Sequence, residues 1–146
     1  MEIPDAGSRG WRGPMRIVIL GCGRLGAYLA RRFAQDGHEV IVIDRERQAL
    51  EALGPDFPGE TVVGMGIDAE VLRRAGIERA DAFIAVTGYD NTNIMAAEVA
   101  REIFGVPRVI TRLNDPLRAE IFQELGLKTV SPTALAVEAI RKCLEE

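Results

Sequence analysis

Arg16-Ile17-Val18-Ile19-Leu20-Gly21-Cys22-Gly23-Arg24-Leu25-Gly26 is the stretch from which the rest of the chain is read. Its first half is a short, β-branched run, apolar from Ile17 to Leu20, as expected of a parallel strand buried on both faces. Its second half is a G-x-G-x-x-G turn, after which Leu25, Leu29 and Phe33 fall on one face of a helix. Between a strand and a helix the three glycines have separate duties. Gly21 permits the tight turn, Gly23 lets a pyrophosphate approach the backbone, and Gly26 lets the helix pack close to the sheet. Phosphate oxygens then meet unpaired N–H groups at the helix N-terminus. The whole loop, Gly21, Cys22, Gly23, Arg24, Leu25 and Gly26, is a candidate phosphate cradle, with Cys22 read as a small filler.

Outward from this unit, further short strands alternate with helical patterns. The strand expectations are Arg16–Leu20, Glu39–Ile43, Thr61–Val63, Ala82–Val86, Arg108–Arg112 and Lys128–Val130. Leu117, Ile121 and Leu125 share one face of the fifth helix, and Gly126 stops it. Asp68, Asn91, Asp115 and Ser131 stand where N-caps belong, the last two followed by Pro at the first helical position. Regular alternation predicts βαβ units with right-handed crossovers. The fold expected is therefore α/β: a Rossmann-like, doubly wound, parallel six-stranded sheet of order 3-2-1-4-5-6. A final amphipathic helix, with Ala136, Ile140 and Leu144 on one face, either packs on its own sheet or docks on another subunit.

The second strand leads to Asp44, eighteen residues past Gly26 and near the spacing of about 20 at which a carboxylate takes the ribose hydroxyls. A 2′-phosphate beside that carboxylate would be repelled, so NADP is disfavoured, with Arg45 a partial offset. Arg24 is placed to meet a phosphate as a forked donor. A second set of polar residues lies at later strand ends: Thr87, Gly88, Asp90 and Asn93 after the fourth, Arg112 ending the fifth. Asp90 and Asn93 have turn and capping roles as their alternative reading. Gly64 and Gly66, flanking Met65 and Ile67 after the third strand, leave bare backbone that can admit an adenine edge.

Composition narrows the function classes. With 146 residues, 47% hydrophobic and 27% charged, the chain is one globular domain's worth. A net charge of −4 without a basic stripe argues against nucleic acid, and no apolar run is long enough to span a bilayer. Two distant cysteines suit a reducing, cytoplasmic setting. Residues 1–14, broken by glycine and proline, read as a flexible extension or an expression remnant, with Met15 an alternative start. Catalysis lacks its parts: no metal-ligand spacing, no base beside either cysteine, and a single histidine, His38, in a turn at the sheet end opposite the ligand crevice. The chain is accordingly read as a non-enzyme.

Taken together, these residues resemble the N-terminal nucleotide-binding domain of RCK proteins, the regulators of potassium conductance that include cytosolic subunits of Trk and Ktr uptake systems. The likeness covers Met15 to about Ile140. It rests on the glycine turn, Asp44, Leu72-Arg73-Arg74-Ala75-Gly76-Ile77, Ala80-Asp81-Ala82, Val86-Thr87-Gly88-Tyr89-Asp90-Asn91-Thr92-Asn93, Arg112-Leu113-Asn114-Asp115-Pro116 and Val130-Ser131-Pro132. The resemblance implies a domain over residues 15–146 without the usual C-terminal RCK domain, whether truncated or supplied by a separate protein. It implies NAD(H), ATP, ADP or AMP as ligand, held at Gly21, Gly23, Arg24, Gly26, Asp44, Thr87, Asn93 and Arg112. It also implies a homodimer through the last helix, assembly in rings, and a membrane potassium channel or transporter as partner at the inner face of the cell membrane.

Two positions depart from the family pattern. Gly64-Met65-Gly66-Ile67 stands where Gly-Asp-Ala-Thr is common, so base recognition rests on backbone and packing. Thr133 stands where many uptake subunits have a glutamate near a bound cation, which argues against metal-assisted ATP binding. The reading that emerges is a nucleotide-sensing regulatory domain. Its rivals are the cofactor domain of an NAD-dependent oxidoreductase and a redox-sensing repressor, the latter weakened by the lack of a basic helix-turn-helix segment.

Overall fold

The computed structural model describes residues 13–146, so the extension expected over residues 1–14 lies, through residue 12, outside the described residues. Strands β1 (Arg16–Leu20), β2 (Glu39–Asp44), β3 (Glu60–Val63), β4 (Ala82–Ala85), β5 (Arg108–Arg112) and β6 (Lys128–Val130) alternate with helices α1 (Arg24–Gln35), α2 (Arg47–Glu51), α3 (Ala69–Arg74), α4 (Asp90–Glu98), α5 (Pro116–Glu124) and α6 (Pro132–Glu145). All five strand pairings are parallel, and the order is β3-β2-β1-β4-β5-β6. This is the doubly wound Rossmann-like sheet that the alternation predicts. Strand limits match the expected ones to within one residue, with β2 reaching Asp44 and β4 stopping at Ala85.

Two-residue periodicity divides the core into two layers. Val18, Leu20, Ile41, Ile43 and Phe83 face one side, where Val71 and Leu72 of α3 and Ala96 and Ala97 of α4 cover them. Ile17, Ile19, Val40, Val42 and Ile84 face the other, under Ala27 and Ala30 of α1 and Leu50 of α2. Leu25, Leu29 and Phe33 add to this second layer as the helical spacing predicts. Small residues at the helix contacts bring α1 and α4 close to the strands, which fixes their N-termini at the C-terminal edge of the sheet.

Capping largely follows the sequence. Asp68, Asp115 and Ser131 accept hydrogen bonds from the backbone N–H groups of Glu70, Leu117 and Ala134. Asn91 does not cap α4, because the helix begins one residue before it, at Asp90 after Tyr89. Beyond Glu98, α4 continues into a π-helical turn, Val99–Ile103, whose Ala100 is buried.

The last two helices depart most from a self-contained domain. Leu117, Ile121 and Leu125 share a face of the α5 region, but that face is exposed; Ala119 and Phe122 point inward instead. Helix α6 has no buried residue, and Ile140 and Leu144 are 68% and 85% exposed. Of the two readings for the last helix, packing on its own sheet is therefore the one the structure overturns.

Candidate functional site

At the C-terminal ends of β1, β2 and β4 the chain leaves the sheet towards opposite faces, which opens the crevice where doubly wound folds take ligands. A cavity of about 420 Å³ occupies it, floored by Leu20 and Val86. Of the residues singled out in the sequence, Gly21, Gly23, Asp44, Arg45, Gly64, Met65, Gly66, Ile67, Thr87, Gly88 and Arg112 border this cavity. Cys22, Arg24, Leu25, Gly26 and Asn93 do not.

The glycine turn is held too tightly for side chains at two points. Gly21 has φ +109°, and a Cβ there would stand 2.8 Å from the Thr87 nitrogen and 2.9 Å from the Val86 carbonyl. A Cβ on Gly26 would overlap the carbonyl oxygen of Gly21, so helix and loop meet backbone to backbone. Gly26 thus shapes the turn from beneath. Gly23 is the opposite case, since a Cβ there would meet nothing within 4 Å. Cys22 turns its side chain into the core, where burial and then the nearby Asp44 carboxylate push its thiol pKa up, keeping it protonated. Leu25 packs against the same layer.

Helix α1 starts without a cap. Its N-cap is Gly23, no side chain accepts from its first N–H groups, and its first turn holds no acidic residue. The donors and the positive end of the helix dipole are left for an anion from outside. Arg24 is exposed in that first turn, beside the cavity rimmed by Gly23, so a cation and a row of free donors stand together.

Asp44 is fixed by two backbone donors, Cys22 N to Oδ2 at 2.8 Å and Glu46 N to Oδ1 at 2.8 Å. These bonds orient the carboxylate and tie the glycine turn to the end of β2. Each oxygen retains an acceptor site, which suits the vicinal hydroxyls of a ribose. Arg45 lies beside Glu46 at 3.8 Å and places its guanidinium carbon 5.6 Å from the centre of the Tyr89 ring.

The opposite wall is built around Asn93, and its assigned role needs correction. Asn93 is fully buried and spends its amide on the framework: Nδ2 donates to the Thr87 and Arg112 carbonyls, while Oδ1 accepts from Thr87 N and Oγ1. It joins the β4–α4 loop to the end of β5 and holds Thr87 and Arg112 in place rather than touching the cavity. Asp90 likewise serves the framework, accepting from Asn114 N at 2.9 Å. Arg112 borders the cavity and donates through Nε to Asn114 Oδ1 at 2.9 Å, leaving its terminal nitrogens for a ligand. On the third side, Gly66 packs against Leu20, while Met65 and Ile67 are partly exposed at the cavity edge and offer apolar surface to a flat ring.

Sequence reasoning missed Glu46, Thr92 and Tyr89 in the lining. None of the three had a local signal, since a single exposed aromatic such as Tyr89 is ordinary on a protein surface.

Chemically, the arrangement offers a carboxylate for a sugar diol, donors and Arg112 for phosphates, and apolar edges for a base. His38 is at the far end of the sheet, where its Nδ1 accepts from Met15 N at 2.9 Å. Among the described residues, no group of three or more His, Cys, Asp and Glu gathers as metal ligands, and no helix is long and apolar enough to cross a membrane.

Comparison with known proteins agrees with the fold. Residues 17–132 match the TrkA-N domain family. The Trk system potassium uptake protein TrkA of Streptomyces coelicolor is 54% identical over 117 residues, covering 80% of this chain and 52% of that protein. The chain thus spans about half the length of this relative. Among solved structures, the GsuK RCK domain superposes with a TM-score of 0.76 at 27% identity, over 90% of this chain and 28% of that one. GsuK bound to ADP gives the same TM-score and identity, over 90% of this chain and 34% of that one.

Proposed function

The chain belongs to the TrkA-N domain family, and from that premise we propose that it is a nucleotide-sensing regulatory module of a potassium transport system. Its ligand is an adenine nucleotide, NAD(H), ATP, ADP or AMP, held in the crevice at the C-terminal edge of the sheet. The observation that carries this reading is the convergence of two features on one cavity: the uncapped start of α1 and the doubly anchored carboxylate of Asp44. The first suits a phosphate and the second a ribose, at opposite ends of one adenosine phosphate. Gly21, Gly23, Arg24 and Arg112 then serve the phosphates, Asp44 the ribose, and Gly64 to Ile67 the base. ADP bound to the related GsuK supports the ligand class. The Asp44 carboxylate repels a 2′-phosphate and Arg45 beside it is only a partial offset, which favours NAD over NADP.

The module acts on a membrane partner from the inner face of the membrane, and it associates through α6. A two-fold pairing of this helix buries Val137, Ile140 and Leu144 of both copies. Nucleotide shifts such a pairing only through unequal affinity for its two geometries, typically worth ~1–3 kcal/mol. Mass spectrometry of the nucleotide released on denaturing the purified protein tests the ligand class. An adenine nucleotide at near-stoichiometric amount is expected. A different class of molecule in its place would refute the reading.

A further inference from the structure

The nucleotide reading leaves open what sets the length of the ligand, and the contact between Arg45 and Tyr89 bears on that question. β2 and β4 are the two neighbours of β1. Arg45 is the first residue after β2, and Tyr89 is the residue before α4, four past the end of β4. One side chain from each neighbour therefore meets the other across the end of β1, over the glycine turn, at 5.6 Å from guanidinium carbon to ring centre. Both residues border the main cavity, and both also border a second, more open cleft that continues to Asp90, Asn91, Asn114, Asp115 and Arg118. The pair stands on the boundary between the two. It is not locked there, since the Tyr89 residue is 63% exposed and the other ionic neighbour of Arg45 is Glu46 at 3.8 Å.

Resting on the nucleotide reading, we propose that Arg45 and Tyr89 form a gate between a mononucleotide chamber and a chamber for a second nucleoside, which makes Tyr89 a specificity-determining residue for ligand length. The chemistry of the second cleft points to its occupant. Asp90 and Asp115 line it together with Arg45 and Arg118, with Arg118 Nη1 3.8 Å from Asp90, so the formal charges cancel and a lengthening phosphate chain finds no net positive charge there. A sugar and base need none, and bring hydroxyls that Asn114 and Asp115 can bind. ADP thus fits behind a closed gate, whereas a dinucleotide must part it. An exposed cation–π pair shifts an equilibrium by about two- to fivefold, enough to bias selection without blocking exchange.

Calorimetric titration of ADP and of NAD into the full chain, as wild type, Tyr89→Ala and Tyr89→Phe, tests the gate, with circular dichroism melting to show that each variant is folded. Tyr89→Ala is expected to raise NAD affinity and to lower the ratio of ADP to NAD affinity by about two- to fivefold. Tyr89→Phe keeps the ring face and should move the ratio less. An unchanged ratio in Tyr89→Ala overturns the gate and leaves the nucleotide reading standing. So does a larger loss for NAD than for ADP, which would make the ring a platform for the second nucleoside. A wild type that binds neither nucleotide overturns both.

Discussion

Helices α1 and α6 are both amphipathic and of similar length, 12 and 14 residues, yet the fold treats them in opposite ways. The sides of α1 are covered, with Ala27 and Ala30 buried on the sheet and Gly26 against the Gly21 backbone, while its N-terminus has no side-chain cap. The N-terminus of α6 is closed by Ser131, while none of its residues is buried. One helix has an open end and the other has open sides. An open end carries donors and a positive dipole and suits an anion. Open apolar sides suit a second protein surface. In the proposed reading, ligand binding and association fall at separate points of one small domain.

The covered side of α1 gives the largest expected effect. Gly26→Ala forces a Cβ onto the Gly21 carbonyl oxygen, and Gly21 cannot retreat because Val86 and Thr87 stand behind it. We expect a loss of at least ~3 kcal/mol of stability, and a fall of roughly 10 °C in melting temperature. A loss below ~1 kcal/mol would mean that helix and turn are not in backbone contact.

Next comes the open side of α6. Ile140→Asp places an unpaired charge in any pairing that buries this face, and the dissociation constant of the dimer should rise by about 100-fold. Because Ile140 touches no core, the domain's own stability should change by less than ~0.5 kcal/mol. Light scattering and circular dichroism at matched concentration separate the two effects. A wild type that is already monomeric, or a variant that stays dimeric, removes α6 as the contact.

The smallest change in stability falls at the open end of α1. Gly23 has φ −75° and ψ −163°, an extended conformation open to other residues, and a side chain there meets no atom within 4 Å. Gly23→Asp would give α1 the cap it lacks and raise stability by a few tenths of a kcal/mol, about the Gly-to-Asp difference at N-caps. The same carboxylate would occupy the donors meant for phosphate and cut ADP affinity at least about tenfold. Unchanged ADP binding in this variant would show that the helix end is not the phosphate site.

The fold was legible because its signals are local. β-branched runs and a glycine turn each follow from a few adjacent residues, Asp44 is found by a fixed count of eighteen from Gly26, and the strand limits agree with them closely. Long-range contacts were harder to read. Asn93 resembles a ligand residue in sequence, but its amide bonds to Thr87 and Arg112, six and nineteen residues away. Tyr89 meets Arg45, a pairing that no local pattern encodes. On α5 and α6 the helical spacing identified an apolar face correctly but could not say what covers it. Leu117 and Ile140 are exposed at the same spacing that buries Ala27 and Ala30. Periodicity reports that a face is apolar; the partner has to be found in space.

The most direct test of nucleotide binding at this crevice is a calorimetric titration of ADP into wild type, Asp44→Ala and Asp44→Asn. Asp44 borders the cavity with both oxygens oriented by Cys22 and Glu46, and in the proposed reading each charge-assisted bond to a ribose hydroxyl is worth ~1.5–3 kcal/mol. Asp44→Ala should weaken ADP at least about tenfold, with Asp44→Asn in between because it keeps one acceptor oxygen. ADP affinity unchanged in Asp44→Ala, with the variant folded, would contradict the account at its centre.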